Sequence, residues 1–413
     1  MQLRMGLCGL MAGAALLAGS LGTKAADLEV THMWVSSGEA AAVRELKKAF
    51  ETETGNKWVD AAIAGSGDGA YPIITSRIIG GNPMGATQMS VGKRSDELVQ
   101  AGLMQDVTAL ATQEKWAQAV RPKNVLESCT TNGKIYCAPV TLHSIGWLWL
   151  SNKAFADAGL PVAKSWDELK ADAPKLRAAG KIPLVVGGEN WQRTDILHIL
   201  VASIGGPDFY LKAYRDVDKA TLESDTMKKV FEEWGAARDL SKGSNMLEWN
   251  LATGKIITGE AAAQVMGDWA QGEFAAAGLT AGKDYDCVIG LGANSLLATQ
   301  GNAIFFPVSK DPAVQKAQLD LAHVILEPKT QLAFALKKGS LPVRSDVDIA
   351  GANECMKKGL AALDAGKTIP GEEQLVKPDV EGQIFDLAAE FFSSDMKPEE
   401  ARKKFEDIMI AGK

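Results

Sequence analysis

From residue 28 to residue 274 the chain alternates short apolar runs, each long enough for one buried strand, with capped helical segments. That order leaves few architectures open. A mostly parallel sheet covered by helices, α/β in class, is the one it predicts. The stretch Trp249–Phe274 (WNLATGKIITGEAAAQVMGDWAQGEF) carries the pattern most fully. Leu251, Ile256 and Ile257 fall near one helical face, and Gly259 stands where a left-handed residue would stop the helix. Ala262 to Met266 reads as one buried strand. Gly267 turns the chain, Asp268 has N-cap chemistry, and a second helix runs from Ala270 to Ala277 before Gly278. Trp269 is thereby placed in the first turn of a helix at the C-terminal end of a strand, where open α/β sheets bind ligands. A large aromatic beside a carboxylate suits a ligand with apolar faces and a hydroxyl rim. The competing reading is a core tryptophan next to an ordinary cap.

Residues 1–25 have the make-up of a secretory signal: Arg4, then a small and apolar run from Gly6 to Leu21, then Thr23-Lys24-Ala25. No later run reaches the roughly 20 apolar residues of a membrane span. Removing the leader takes away Arg4 and Lys24 and leaves a formal charge of about −9. An acidic chain without basic clusters argues against nucleic acid or an anionic membrane as partner. A length near 390 residues favours two domains. Export permits oxidised cysteines. Cys129 and Cys137 flank an Asn132-Gly133 hairpin signal, so a local bridge fits, and Cys287 would then pair with Cys355; three connectivities remain open. With no CxxC spacing and only four histidines, no metal site is expected.

Along the chain, Leu28–Met33 alternates like a strand, and Ser36-Ser37-Gly38-Glu39 has the form of a capping box. Gly65-Ser66-Gly67-Asp68-Gly69 lacks dinucleotide spacing and is read as a turn into a helix from Tyr71 to Ile79. Trp147 and Trp149 share one strand face and are assigned to the core. Gly187–Gln192 repeats the order strand, tryptophan, helix, and His198 is read as packed within its helix.

Seven segments together carry a family resemblance. They are His32–Glu39 (HMWVSSGE), Ser76-Arg77 with Asn82-Pro83, His143 with Trp147-Leu148-Trp149, Gly187–Gln192, Trp249–Thr253 (WNLAT), Met266–Phe274 (MGDWAQGEF) and Lys338–Arg344 (KGSLPVR). Over nearly the whole mature length the chain resembles the periplasmic sugar-binding proteins of bacterial ABC importers, nearest to the glucose/mannose-binding branch. Cys287 and Cys355 fall where some members of that branch carry cysteines. The resemblance implies a type II two-lobed fold, each lobe a mostly parallel sheet flanked by helices. One lobe would hold 27–140 with 300–340, the other 141–299 with 341–413. It implies a monomer in the periplasm that closes on a sugar by hinge motion and docks on permease subunits, with no cofactor and no chemical conversion. Carried over by position, Trp34 and Trp269 stack on sugar faces, and Glu39 and Lys338 bond hydroxyls. Gln88, His143, Trp191, Asn250, Asp268 and Asn302 complete the contacts.

The chain departs from the glucose pattern at Met33, where the branch has a second Trp, at Ser90, near which it has a Lys, and at Asn302, where it has an Asp. A C-terminal His is also absent, since the last one is His323. Two lost charge-assisted bonds, each roughly 1.5–3 kcal/mol, are enough to change which sugar is preferred. The readings therefore run from a hexose receptor to a receptor for another carbohydrate (a polyol, amino sugar, disaccharide or short oligosaccharide). More remotely they include an exported glycosidase using Glu39 and Asp268, although no nucleophile elbow or other catalytic signature accompanies that pair.

Overall fold

A computed structural model describes residues 25–91, 93–244 and 248–413, so the expected leader lies, Ala25 apart, outside the described residues. Within them the chain builds two main sheets. The first has the order Thr368–Pro370, Leu297–Phe305, Ala86–Ser90, Asp27–His32, Lys57–Ala62, and Cys137–Ile145 also pairs with Leu297–Phe305. Asp27–His32 is parallel to both of its neighbours, as the helical crossovers Ser37–Thr54 and Ser66–Ile79 require. The second sheet has the order Tyr285–Ile289, Trp147–Ser151, Ala261–Met266, Ile182–Leu184. The two-lobed α/β architecture is the expected one, but two of the three pairings in this second sheet are antiparallel. The reason is that Trp147–Ser151 arrives directly from the first sheet, without a helical crossover to reverse it.

That arrival is one of the crossings between sheets. Strand Cys137–Ile145 ends at Gly146 (φ +123), where a Cβ would lie 2.9 Å from the Leu296 carbonyl oxygen. The chain returns between Ile289 and Leu297, and a third strand of chain passes at Leu341, which bridges Leu142. Each sheet packs its own apolar cluster. Leu28, Val30, Trp58, Ala303 and Phe305 belong to the first; Leu148, Leu150, Phe155, Trp234 and Phe391 belong to the second. Trp147 and Trp149 are fully buried and stacked 5.3 Å apart, as their shared strand face implied. Residues after the third crossing do not all go to one side: Met356 and Leu360 join the first cluster, while Ile384 and Leu387 join the second.

Of the three cysteine pairings open from the sequence, the structure has Cys129–Cys137 and Cys287–Cys355. The first closes the hairpin of Thr130–Thr131 and Lys134–Ile135, with Asn132 and Gly133 both at positive φ. The second ties strand Tyr285–Ile289 to helix Glu354–Asp364. No helix among the described residues is long and apolar enough to cross a membrane.

Local expectations are corrected in three places. Ser66 to Gly69 is the first turn of helix Ser66–Ile79, entered through Gly65 at φ 100, and not a loop before it. In helix Trp249–Thr258 the buried face is Trp249, Ala252, Thr253 and Ile256, while Leu251 is 54% exposed. Asp268 does not cap helix Ala270–Ala276: Trp269 occupies the N-cap, with no side-chain capping bond. The carboxylate of Asp268 has been drawn into the protein instead.

Candidate functional site

Between the two sheets lies a cavity into which both halves of the molecule project side chains. On the first-sheet side stand Trp34, Glu39, Gln88, Asn302 and Lys338; across from them stand Trp191, Asn250 and Trp269, with His143 on the crossing strand. Nine of the ten ligand-binding positions read from the sequence thus line one cavity. Asp268 is the exception. It is fully buried behind the wall, where Oδ2 accepts from the Ser144 amide (2.9 Å) and the Ser144 hydroxyl (2.7 Å) and Oδ1 lies 3.4 Å from Nδ1 of His143.

The site's geometry follows from short sequence devices. The capping box is complete: Ser36 Oγ accepts from the Glu39 amide, and Glu39 Oε2 accepts from the Ser36 amide. This fixes Glu39 at the start of helix Ser37–Thr54, and its other oxygen accepts from Lys338 Nζ at 2.9 Å. Lys338 is 2% exposed and sits at the C-terminal end of helix Pro328–Lys338, where a cation suits the helix dipole. Its Nζ also lies 5.6 Å from the ring centre of Trp269, within cation–π range. Gly267 allows the indole to fold back: a Cβ there would stand 2.1 Å from Cζ3 of Trp269. Helix Ala270–Ala276 then approaches helix Ser37–Thr54 so closely that a Cβ on Gly38 would lie 2.6 Å from the Gly272 carbonyl carbon. The Gly38 amide donates to Glu273 Oε1 across the same contact (2.8 Å).

Trp269 is ringed by aromatic edges. His143 meets it at 5.1 Å and 88°, Trp191 at 6.1 Å and 55°, and Trp249 at 6.4 Å and 83°. Trp191 and Trp249 begin two helices held together by one loop. Gln192 Nε2 donates to Glu189 Oε2, which also accepts from the Trp249 amide. Opposite, Trp34 packs at 27° against His32 and edge-on against Phe334. The wall beside Met33 is neutral: Gln88 Oε1 accepts from the Met33 amide, and Gln88 Nε2 donates to Asn302 Oδ1 at 2.6 Å. The Asn302 amide group lies 3.5 Å from Ser90 Oγ, and Tyr71 donates to the same oxygen at 2.8 Å. The three departures Met33, Ser90 and Asn302 are therefore neighbours in space on one uncharged surface.

Sequence reasoning missed part of the lining. Trp249 lines the cavity, although nothing in its spacing within Trp249–Thr253 marks it as a contact. Asp195 lies four residues after Trp191 on helix Asn190–Tyr214 and shares its face. Glu372, Glu373 and Glu381 also reach the cavity; nothing periodic marks them, because they arrive from a separate C-terminal segment.

Asp268 gives a testable consequence. Its charge-assisted bonds hold Ser144 and steer His143, so Asp268→Asn should lower ligand affinity by roughly tenfold, from bonds individually worth about 1.5–3 kcal/mol. If it acts through His143, adding His143→Ala to Asp268→Asn should cost little more, a non-additivity read by calorimetric titration of the four proteins.

Proteins of known family and fold resemble this chain. Residues 35–316 match the family model for bacterial extracellular solute-binding proteins. A "probable sugar-binding periplasmic protein" of Mesorhizobium japonicum is 38% identical, covering 82% of this chain and 80% of its own. Another so described, from Brucella suis biovar 1, is 34% identical, covering 98% and 97%. Among solved structures, a chitin oligosaccharide binding protein superposes with a TM-score of 0.75 at 20% identity, over 94% of this chain and 99% of that one.

Proposed function

The chain belongs to the bacterial extracellular solute-binding proteins, a family of receptors and not of enzymes, and from that premise we propose that its cavity binds a sugar for a membrane permease. The ligand is released to the permease of an ABC importer unchanged, and the mature protein works as a monomer in the periplasm. The observation that carries this reading is the cavity itself. Half-buried Trp269 presents indole surface from one side, and Trp34, only 2% exposed and packed into the first apolar cluster, borders the cavity from the other. Hydrogen-bonding groups (Glu39, Gln88, His143, Asn250, Asn302, Lys338) line it with them. Pyranose rings offer apolar C–H faces to indoles and hydroxyls to their rim, so this combination matches a sugar better than a peptide or a lipid.

The lobes are taken as 27–140 with 300–340 and 141–299 with 341–413, with helix Glu354–Asp364 straddling them and strands Cys137–Ile145 and Thr368–Pro370 reaching over to pair in the first sheet, and closure as a hinge motion about the crossings. A hexose in the glucose/mannose class is the first candidate, since the close relatives are described as sugar-binding. The neutral surface of Met33, Ser90 and Asn302 supports a ligand that differs from glucose in the group it turns toward that wall.

A thermal-shift panel of hexoses, pentoses, polyols, amino sugars and disaccharides tests the proposal. A ligand that binds only the native state raises the melting temperature in proportion to the logarithm of its concentration. One sugar class should do so saturably, with the sugar recovered intact. A panel without a shift, or recovery of a converted product, would remove the receptor reading.

A further inference from the structure

Helix Ala270–Ala276 is anchored on the second sheet but touches the first half of the molecule. Phe274 is the anchor: its ring stacks on Tyr285 at 4.1 Å and lies 5.6 Å from Trp149. The same helix meets helices Ser37–Thr54 and Pro328–Lys338, whose Leu46, Phe50 and Phe334 pack in the first-sheet cluster. That meeting is made by backbone. A Cβ on Gly38 would stand 2.6 Å from the Gly272 carbonyl carbon, and one on Gly272 would stand 2.8 and 2.9 Å from the Lys338 and Lys337 carbonyl oxygens. No rotamer relieves either overlap, because all of these neighbours are main-chain atoms.

Two side chains fasten the contact. Glu273 Oε1 accepts from the Gly38 amide (2.8 Å), and Gln271 Nε2 donates to the Gly339 carbonyl oxygen (2.7 Å). The first of these completes the capping of helix Ser37–Thr54. Ser36 Oγ accepts from the Glu39 amide, whereas the Gly38 amide, another donor that a helix start leaves open, finds its acceptor in the other half of the molecule. A carboxylate there also suits the helix dipole.

We infer that this glycine contact is the closing stop of the cleft: it forms when the lobes shut on a sugar, and Glu273 and Gln271 are positioning residues that hold it. The inference rests on the receptor reading above, with its two lobes, and deepens it. Placement supports a role in the closed form. Gly38 adjoins Glu39, Gly339 adjoins Lys338, and Gly272 follows Trp269 by three residues; Glu39, Lys338 and Trp269 all line the cavity. The Lys338 ammonium and the Trp269 ring face each other across the cleft at 5.6 Å. One short helix holds Trp269 and Gly272 a single turn apart, so a rotation that parts Trp269 from Lys338 also parts Gly272 from Gly38 and Gly339. Closure thereby gains two hydrogen bonds and a close backbone contact that the ligand itself does not touch. Whatever weakens the contact lowers the fraction of molecules able to close, and the apparent affinity falls by that fraction.

The test is calorimetric titration of the mature wild-type protein and its Gly272→Ala, Gly38→Ala and Glu273→Ala variants, with D-glucose, D-xylose, sorbitol, D-glucosamine and maltose as probes. Neither glycine has a left-handed backbone, and alanine is the better helix former, so the ligand-free glycine variants should melt within a few degrees of wild type. The probe that wild type binds most tightly should bind each glycine variant roughly tenfold or more weakly, as overpacking confined to one of two states requires. Glu273→Ala should cost roughly fivefold. Stopped-flow tryptophan fluorescence should place the loss in faster dissociation, with association unchanged. Small-angle scattering at saturation should give Gly272→Ala a larger radius of gyration than wild type. Wild-type affinity with a lowered melting temperature in the glycine variants would mean that the contact exists in open and closed forms alike; that result would overturn the closing stop and leave the receptor standing. No binding of any probe by wild type would overturn both.

Discussion

Replacing Trp269 with alanine is expected to weaken sugar binding about 30-fold or more while leaving the molecule folded. The indole is the meeting point of the site: the rings of His143, Trp191 and Trp249 lie 5.1, 6.1 and 6.4 Å from it at steep angles, and the Lys338 ammonium lies 5.6 Å from its ring centre. Truncating an aromatic anchor of this kind costs about 2–4 kcal/mol, a loss of roughly 30- to 1,000-fold in affinity. The fold tolerates the change better than it would the loss of Trp147 or Trp149. Those two are fully buried, while Trp269 keeps part of its surface open to the cavity. Calorimetric titration reads the first effect and circular dichroism the second. Wild-type affinity in the variant would show that the indole supports the wall without touching the ligand.

Lys338→Met is expected to be the most destabilising change in the cavity. It removes the cation from a pair in which Lys338 is 2% exposed and the Glu39 side chain 11% exposed. Breaking a buried pair from one side costs about 3–5 kcal/mol, most of it the penalty of an uncompensated charge. Glu39 retains only the Ser36 amide as a donor, and one hydrogen bond does not offset that penalty. Removing the stranded charge as well should therefore restore stability: Glu39→Gln with Lys338→Met should recover more than half of the loss in urea denaturation. Equal stability of the single variant and the wild type would mean that water solvates Glu39 freely. Both proteins should bind sugar poorly, so the stability cycle separates the pair's structural role from its ligand contacts.

The parts of this site that were legible in the sequence are those decided within a few residues. The capping box of Ser36 and Glu39, the hairpin at Asn132-Gly133, the left-handed cap at Gly259 and the shared face of Trp147 and Trp149 each depend on spacing alone. What failed was decided at a distance. Asp268 has the chemistry of a cap, but Ser144, 124 residues away, offers its carboxylate two better donors. Leu251 has helical spacing, yet which face of a helix is buried depends on the partner that covers it. The first half of strand Leu297–Phe305 (LATQGN) carries no strand signal, because it mixes polar residues that line the cavity, Gln300 and Asn302, with buried apolar ones. The site residues beyond simple spacing were reached through family resemblance. The carboxylates Asp195, Glu372 and Glu381 lay outside both routes: each looks solvated or packed until the fold sets three separate segments side by side.

The central claim is that tryptophans from opposite sides of one cleft hold a carbohydrate that the protein does not alter. Calorimetric titration of the mature wild-type protein and of its Trp34→Ala and Trp269→Ala variants with the sugar selected by the thermal-shift panel tests this most directly. The account predicts one site per wild-type molecule, an affinity loss of at least 30-fold in each variant, and the same sugar recovered chemically unchanged. Binding of equal strength in all three proteins would contradict it.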